Sequence, residues 1–338
     1  MAYDLGNEMP ELLTEAGDSS DIGREWAVRR ADILNRLMRI SGGLPERGPV
    51  AYEVISETTA GNRIKLSRIV YRSSFGDQVP ANLLIPAAAE HGKCPAVIAL
   101  HQTVPEGKEE VSGIAGDKEL AYGLELAERG FVVLAPDVLT AGERVYPGKQ
   151  PFQTAPFQDA FPEWSMIGKM MTDHLHGVDL LCSLDIVDGS RIGAIGHSLG
   201  GYNSFFLSAV DERVRAIVVS CGLSTFAGDP LPSRWALRKE WFTHFPALDL
   251  TQGRIPFEFN EILALTFPRP AFIWYTQNDA IFPHWEAIGR AVKSVADLYG
   301  AAGHGDRFTG LMGGGKHEFP RMIRELAYGW LEQQLNVK

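Results

Sequence analysis

The spacing of apolar positions changes period along the chain, and those changes divide it. Residues 1–20 are acidic and irregular and are expected to form a loose arm. Over residues 22–40, Ile22, Trp26, Ile33, Leu34, Leu37 and Ile40 recur at helical spacing, and Ser41-Gly42-Gly43-Leu44-Pro45 ends the run. Residues 50–58, 62–72 and 78–85 read as strands joined by turns at Gly61-Asn62 and Gly76-Asp77, so the sheet should begin antiparallel. From Pro95 the pattern alternates. Strands are expected at Pro95 to His101, Phe131 to Pro136, Arg191 to Gly196, Val214 to Ser220, Ala271 to Thr276 and Arg307 to Met312. Between and after them, helices are expected at Lys118 to Arg129, Ser165 to Asp185, Leu199 to Val210, Trp285 to Tyr299 and His317 to Leu335. Uninterrupted apolar strands alternating with helices predict an α/β fold with a mostly parallel central sheet, antiparallel N-terminal strands, and helices on both faces.

Two stretches break this rhythm. Residues 138–164 and 222–268 are long, follow strand ends, and are rich in Pro, Gly and aromatic residues. Loops at the carboxyl edge of such a sheet are where ligands bind. The chain therefore divides into an N-terminal arm and helix (1–48) and one catalytic domain (49–338) carrying those two insertions.

Composition narrows the class. The 338 residues include 42 acidic and 32 basic side chains, a formal net charge of −10, which argues against nucleic acid or an anionic membrane surface as partner. The three cysteines, Cys94, Cys182 and Cys221, are widely spaced in or beside apolar runs and are expected to be buried free thiols, which suits a reducing cytoplasm. No basic start with an apolar core marks a signal peptide, and no apolar run reaches membrane-spanning length, so a cytoplasmic location is expected. A homo-oligomer is compatible with the sequence, which leaves the oligomeric state open.

The chemistry concentrates at Gly196-His197-Ser198-Leu199-Gly200, between an apolar strand and a helical run. This is the context of a nucleophile elbow, a strand–turn–helix in which small residues let strand and helix approach and a strained serine is held up at the strand's end. A serine hydroxyl needs a base, and the base needs an orienting group. Chain order puts an acid next and a histidine last. Asp279 follows the strand 271–276, and His317 follows the next strand on a glycine loop, Gly313-Gly314-Gly315-Lys316-His317, flexible enough to swing the imidazole inward. Ser198 would attack a carbonyl, His317 would carry its proton, and Asp279 would hold the imidazole. Activity should fall as His317 protonates, below about pH 6–7. The oxyanion donors are expected to be the amide of Leu199 and that of Gln102 or Thr103, in the loop after strand 95–101.

Competing residues carry blander expectations. His101 reads as a strand-end structural residue, and His284 as a capping or surface group. His304 lies at the wrong end of its strand. His174 and His176 sit two apart in a helix and face different directions, which disfavours a metal site. Asp297 reads as solvated, Asp306 is an alternative acid, and Asp137 reads as a loop-positioning carboxylate. The loop aromatics Tyr146, Phe152, Phe157, Phe161, Trp164, Phe226, Trp235, Trp241 and Phe245 are lid or substrate candidates, with Trp164 and Trp241 taken as substrate-binding.

Elbow, acid and histidine in this order resemble the α/β-hydrolase superfamily. Within it the chain is similar to the dienelactone hydrolase-related serine esterases, including the acetyl xylan esterase and cephalosporin deacetylase types. The resemblance rests on Leu100-His101-Gln102-Thr103, on residues 130–137 and 163–169, and above all on residues 187–201. It covers about residues 60–335, and the N-terminal helix with Trp26, Arg29 and Arg30 is similar to an extension some of these esterases carry. Ser198 replaces the cysteine nucleophile of dienelactone hydrolase proper, so the resemblance implies ester rather than dienelactone chemistry. What it implies is a serine esterase acting on a short-chain acyl ester of a sugar or similar polar alcohol through an acyl-enzyme, with no metal or organic cofactor. A small-peptide or amide hydrolase, prolyl-oligopeptidase-like, and a non-catalytic ligand-binding homologue are the alternatives.

Overall fold

The computed structural model describes residues 3–4, 9–13, 19–44, 50–231 and 254–337. In chain order the strands and α-helices are β1 (Tyr3–Asp4), α1 (Ser19–Ser41), β2 (Tyr52–Ala60), β3 (Ile64–Arg72), β4 (Gln78–Ile85), β5 (Cys94–Leu100), α2 (Lys108–Val111), α3 (Tyr122–Glu128), β6 (Val132–Pro136) and α4 (Ala155–Ala160). There follow α5 (Met166–Ser183), β7 (Val187–His197), α6 (Leu199–Val210), β8 (Val214–Ser220), β9 (Arg254–Ile255), α7 (Phe259–Ala264), β10 (Ala271–Thr276), α8 (Trp285–Ala301), β11 (Phe308–Gly313) and α9 (Arg321–Gln334).

Nine strands form one sheet in the order β11-β10-β8-β7-β5-β6-β4-β3-β2. From β11 to β6 neighbours are parallel, and β4, β3 and β2 are antiparallel. The fold class predicted from the alternation is the one observed. Strands β5, β6 and β8 are buried almost along their whole length because helices cover both faces. One core joins the sheet to α1, α5, α6, α7 and α8; the other joins it to α3 and α9. After β5 the chain steps to β6 on one side, and then returns to β7 on the other. The carboxyl ends of β5 and β7 therefore flank the point where strand order reverses, the crevice in which open α/β sheets bind ligands.

Several boundaries differ from expectation. The arm is partly ordered: β1 pairs antiparallel with β9, and Leu12 is buried. The expected helix 118–129 breaks into a 3-10 turn and α3, because the Asp117 side chain accepts the Glu119 amide and caps the turn. Helix α9 starts at Arg321, not His317, because Pro320 sits in extended backbone ahead of it. Helix α7 lies inside the stretch read as a loop, capped by Glu258, whose carboxylate accepts the amides of Phe226, Ala227 and Phe259. All three cysteines are free, but Cys182 is exposed rather than buried. No helix among the described residues is long and apolar enough to cross a membrane.

Candidate active site

Ser198 stands between β7 and α6 at φ 54° and ψ −119°, a backbone region that a side chain normally avoids. The turn can be this sharp because its flanks lack side chains. A Cβ on Gly196 would lie 2.1 Å from the Gly200 carbonyl carbon, and one on Gly200 would lie 1.7 Å from the Leu100 oxygen. The Ser198 amide donates to the Ser220 carbonyl at 2.8 Å, which ties the elbow to the end of β8. The elbow expected from the sequence is present in full.

Asp279 and His317 come together as expected. His317 Nδ1 lies 2.6 Å from Asp279 Oδ2, while Asp279 Oδ1 accepts the amides of Ile281 at 2.7 Å and Phe282 at 3.0 Å. Burial pushes the Asp279 carboxyl up, but the bond and charge of His317 and the two amides outweigh it and hold the group below its usual range. The acid is thus an ionised acceptor with both oxygens engaged. The loop bearing His317 is not the flexible one the glycines suggested. Trp274 Nε1 donates to Glu318 O at 2.9 Å, Thr276 Oγ1 to Lys316 O at 2.7 Å and Asn278 Nδ2 to Gly314 O at 2.6 Å, and backbone bonds join Gln277 to Gly313 and Asn278 to Gly315. The end of β10 therefore clamps the imidazole in place.

His197, an unassigned position of the elbow motif, proves to be part of the site. Its ring is buried, its centroid is 4.9 Å from that of His317, its Nδ1 is 3.0 Å from Ser220 Oγ, and it stacks on Phe319. Burial and the neighbouring His317 lower its pKa to about 3, so it stays neutral. His317 is thereby seated against the residue that precedes Ser198. No hydrogen bond joins Ser198 Oγ to His317 here; such bonds are often long in unliganded hydrolases and tighten when substrate binds.

Leu199 opens α6, so its amide has no acceptor within the helix. The loop carrying Gln102 and Thr103 is held by three ties. His101 Nδ1 meets Gln102 O at 2.6 Å, His101 Nε2 accepts the Val138 amide at 3.1 Å, and Gln102 Nε2 donates to both oxygens of buried Glu110 at 3.0 and 3.2 Å. Tyr122 bridges the ends of β5 and β7, donating to Leu100 O at 2.5 Å and accepting the His197 amide at 3.4 Å.

The remaining sequence readings sort cleanly. Asp137 accepts the Lys108 amide, Lys108 Nζ and the Glu143 amide, so it positions loops. His284 is neither a surface group nor a side-chain cap: it is buried, with Nε2 near Ser224 Oγ and the Thr225 amide. His304 packs on Phe267 before β11, and exposed Asp297 pairs with Lys293. His176 bonds Thr172 O and Ser74 Oγ, whereas both ring nitrogens of buried His174 lack a partner among the described residues. Trp164 packs edge-to-face on Phe75 at 4.8 Å and lies against Gly42, just past the end of α1. Trp235, Trp241 and Phe245 lie outside the described residues.

Among the described residues, Cys221, Asp279 and His317 are a trio whose donor atoms lie within 4.8 Å of one another. The thiol does not offer itself as a ligand. Burial and the Asp279 charge push it up to about 12, and the other two groups already bond each other at 2.6 Å. Cys221, at φ 44°, donates to Glu318 O at 3.5 Å and packs the floor beneath the pair.

Comparison with known proteins agrees with this architecture. The YtaP protein of Bacillus subtilis (strain 168) is 27% identical over 316 residues, 90% of this chain and 100% of its own length. Two solved structures share the fold. A glucuronoyl esterase from Solibacter usitatus has a TM-score of 0.74 at 17% identity, covering 97% of both chains. Acetyl xylan esterase 1 from Thermoanaerobacterium sp. JW/SL YS485 has a TM-score of 0.57 at 15% identity, covering 97% of this chain and 99% of its own. Residues 79–245 match the dienelactone hydrolase family, and the chain shares the fold of these esterases.

Proposed function

We propose that the protein is a serine esterase that cleaves a short acyl ester of a sugar or similar polar alcohol. Ser198 Oγ attacks the ester carbonyl while His317 Nε2 takes its proton; the amide of Leu199 and that of Gln102 or Thr103 receive the oxyanion. His317 returns the proton to the departing alkoxide, leaving an acyl-Ser198. Water, deprotonated by the same imidazole, then releases the acid. Asp279 fixes Nδ1–H and stabilises the imidazolium through the 2.6 Å bond. The observation that carries this reading is the Asp279–His317 pair clamped against His197, one residue from a strained serine at the sheet's switch point.

A 300 Å³ cavity on the same edge supports a polar alcohol. Phe75, Tyr146, Phe157 and Phe161 wall it beside Asp77, Arg144 and Lys169. The cations are matched. Arg144 bonds Asp173 and Asp77, and Lys169 bonds Asp173, Asp77 and Ser73, so the floor is polar yet near neutral. Much of the wall follows β6, two strands from β7, a lateral offset of about 10 Å. Aromatic walls over a neutral polar floor suit an uncharged polyol better than an ion.

Turnover of p-nitrophenyl acetate tests the reaction. Ser198→Ala should abolish it while the circular dichroism spectrum is unchanged; residual activity above a few percent counts against the assignment. A panel of acetylated sugars against aminoacyl anilides tests the substrate class, and preference for the anilides would overturn it.

A further inference from the structure

At the amino edge of the sheet, away from Ser198, a cleft of 570 Å³ opens between the starts of β7, β8, β10 and β11 and the end of α9. Arg191, Arg215, Arg269 and Arg307 line it, with Glu212 as its one acid and Phe267 on its wall. The chain as a whole carries a net charge of −10, so this local excess of cations runs against the molecule.

Neighbours cancel only part of the excess. Glu212 pairs at 3.0 Å with Arg30 of α1 rather than with an arginine of the cleft. Of the four, Arg191 has a carboxylate partner, Asp188 at 2.8 Å. Arg269 is largely buried and spends its guanidinium on backbone carbonyls: Asp211 and Val214 from one nitrogen, Ser208 and Leu265 from the second, Thr266 from Nε. Carbonyl dipoles satisfy its hydrogen bonds, Glu212 and Asp211 act on its charge through space, and burial outweighs them and lowers its pKa to about 10. Arg307 is exposed and donates to Pro268 O alone, at 3.3 Å. Arg215 is exposed, and its side chain has no hydrogen bond or ion pair among the described residues. Two guanidinium forks without a carboxylate partner among the described residues thus share a concavity with a third, partly buried cation. Guanidinium forks match carboxylate and phosphate oxygens in paired hydrogen bonds.

We propose that this cleft is a second ligand site, which binds a small polyanion bearing at least two phosphate or carboxylate groups through Arg215 and Arg307. Arg269 supplies field rather than bonds, and Arg191 holds the wall by donating to Asn336 O and Lys93 O. The site is independent of the esterase reading, since none of its residues belongs to the catalytic edge.

Isothermal titration calorimetry on the full chain at fixed ionic strength tests it, with sodium pyrophosphate in one arm and citrate in the other. Saturable one-to-one binding of at least one probe is expected, and the arm that binds identifies the chemistry. Arg215→Ala/Arg307→Ala should weaken it by at least about ten-fold. Both side chains are exposed, so unchanged thermal unfolding without ligand should confirm the fold, and Arg307→Ala alone serves as a milder variant. No saturable heat up to about 10 mM of either probe, or equal affinity in wild type and both variants, overturns the proposal.

Discussion

At the level of single residues, the site was legible wherever chemistry imposes sequence spacing. Ser198 announced itself because a sharp elbow demands Gly196 and Gly200, and clashes of 2.1 and 1.7 Å show why. Asp279 and His317 followed from chain order. His197 and Cys221 did not, because an elbow leaves its second position free and nothing local tells Cys221 that it will lie under the pair. Asp279→Asn tests the acid. It should leave the fold intact yet lower kcat by a factor on the order of 10⁴, because the amide stabilises the wrong imidazole tautomer. A loss under ten-fold would remove Asp279 from the mechanism. Because the folded Asp279 carboxyl titrates below its unfolded value, its contribution to stability is present at neutral pH and is lost as pH falls through the folded value. The Asp279→Asn stability deficit should therefore shrink in acid, as chemical denaturation at pH 7 and pH 3 can show.

At the level of elements, long periodic segments were readable and short ones were not. Helix α6 and strands β8 and β10 begin and end where the apolar runs do. Helix α7 escaped notice because its six residues sit within an aromatic-rich stretch and depend on the Glu258 cap. The N-terminal helix was visible but its place was not, since docking is decided by partners far along the chain. Arg36 of α1 reaches Glu261 of α7 through two bonds at 2.9 and 3.1 Å, with both side chains almost wholly buried. Gly168 of α5 lies so close to the end of α1 that a Cβ would meet Ser41 O at 1.9 Å. The helix is thus built into its own subunit's core. Arg36→Ala should destabilise the protein by about 3–5 kcal/mol, because it leaves Glu261 buried with its main partner gone. A change under 1 kcal/mol in urea unfolding would show that α1 is only loosely attached.

Across the whole molecule, sequence alternation fixed the sheet's class and the site's edge, but not which charges would be buried. His174 and His197 are enclosed and held neutral, each with its pKa lowered to about 3 by burial first of all. In the unfolded chain both return to about 6.5, so the unfolded state binds protons that the native state refuses. Their contribution is complete above about pH 6.5 and is lost as pH falls toward 3, by up to about 1.4 kcal/mol per group per pH unit. Buried Glu258, raised to about 7, slopes the other way over this window, so the test is a difference: between pH 7 and pH 4.5 the urea-unfolding stabilities of wild type and His174→Phe should diverge by one such slope, and parallel profiles would contradict the burial. In the proposed mechanism one hydroxyl, on the elbow, is made nucleophilic by the clamped imidazole. Intact-mass and peptide analysis after treatment with a fluorophosphonate tests it most directly. A single adduct on Ser198 is expected, formed fast in the wild type and slowed at least about a hundred-fold in His317→Ala. An adduct on another residue, or labelling of Ser198 at the same rate without His317, would contradict it.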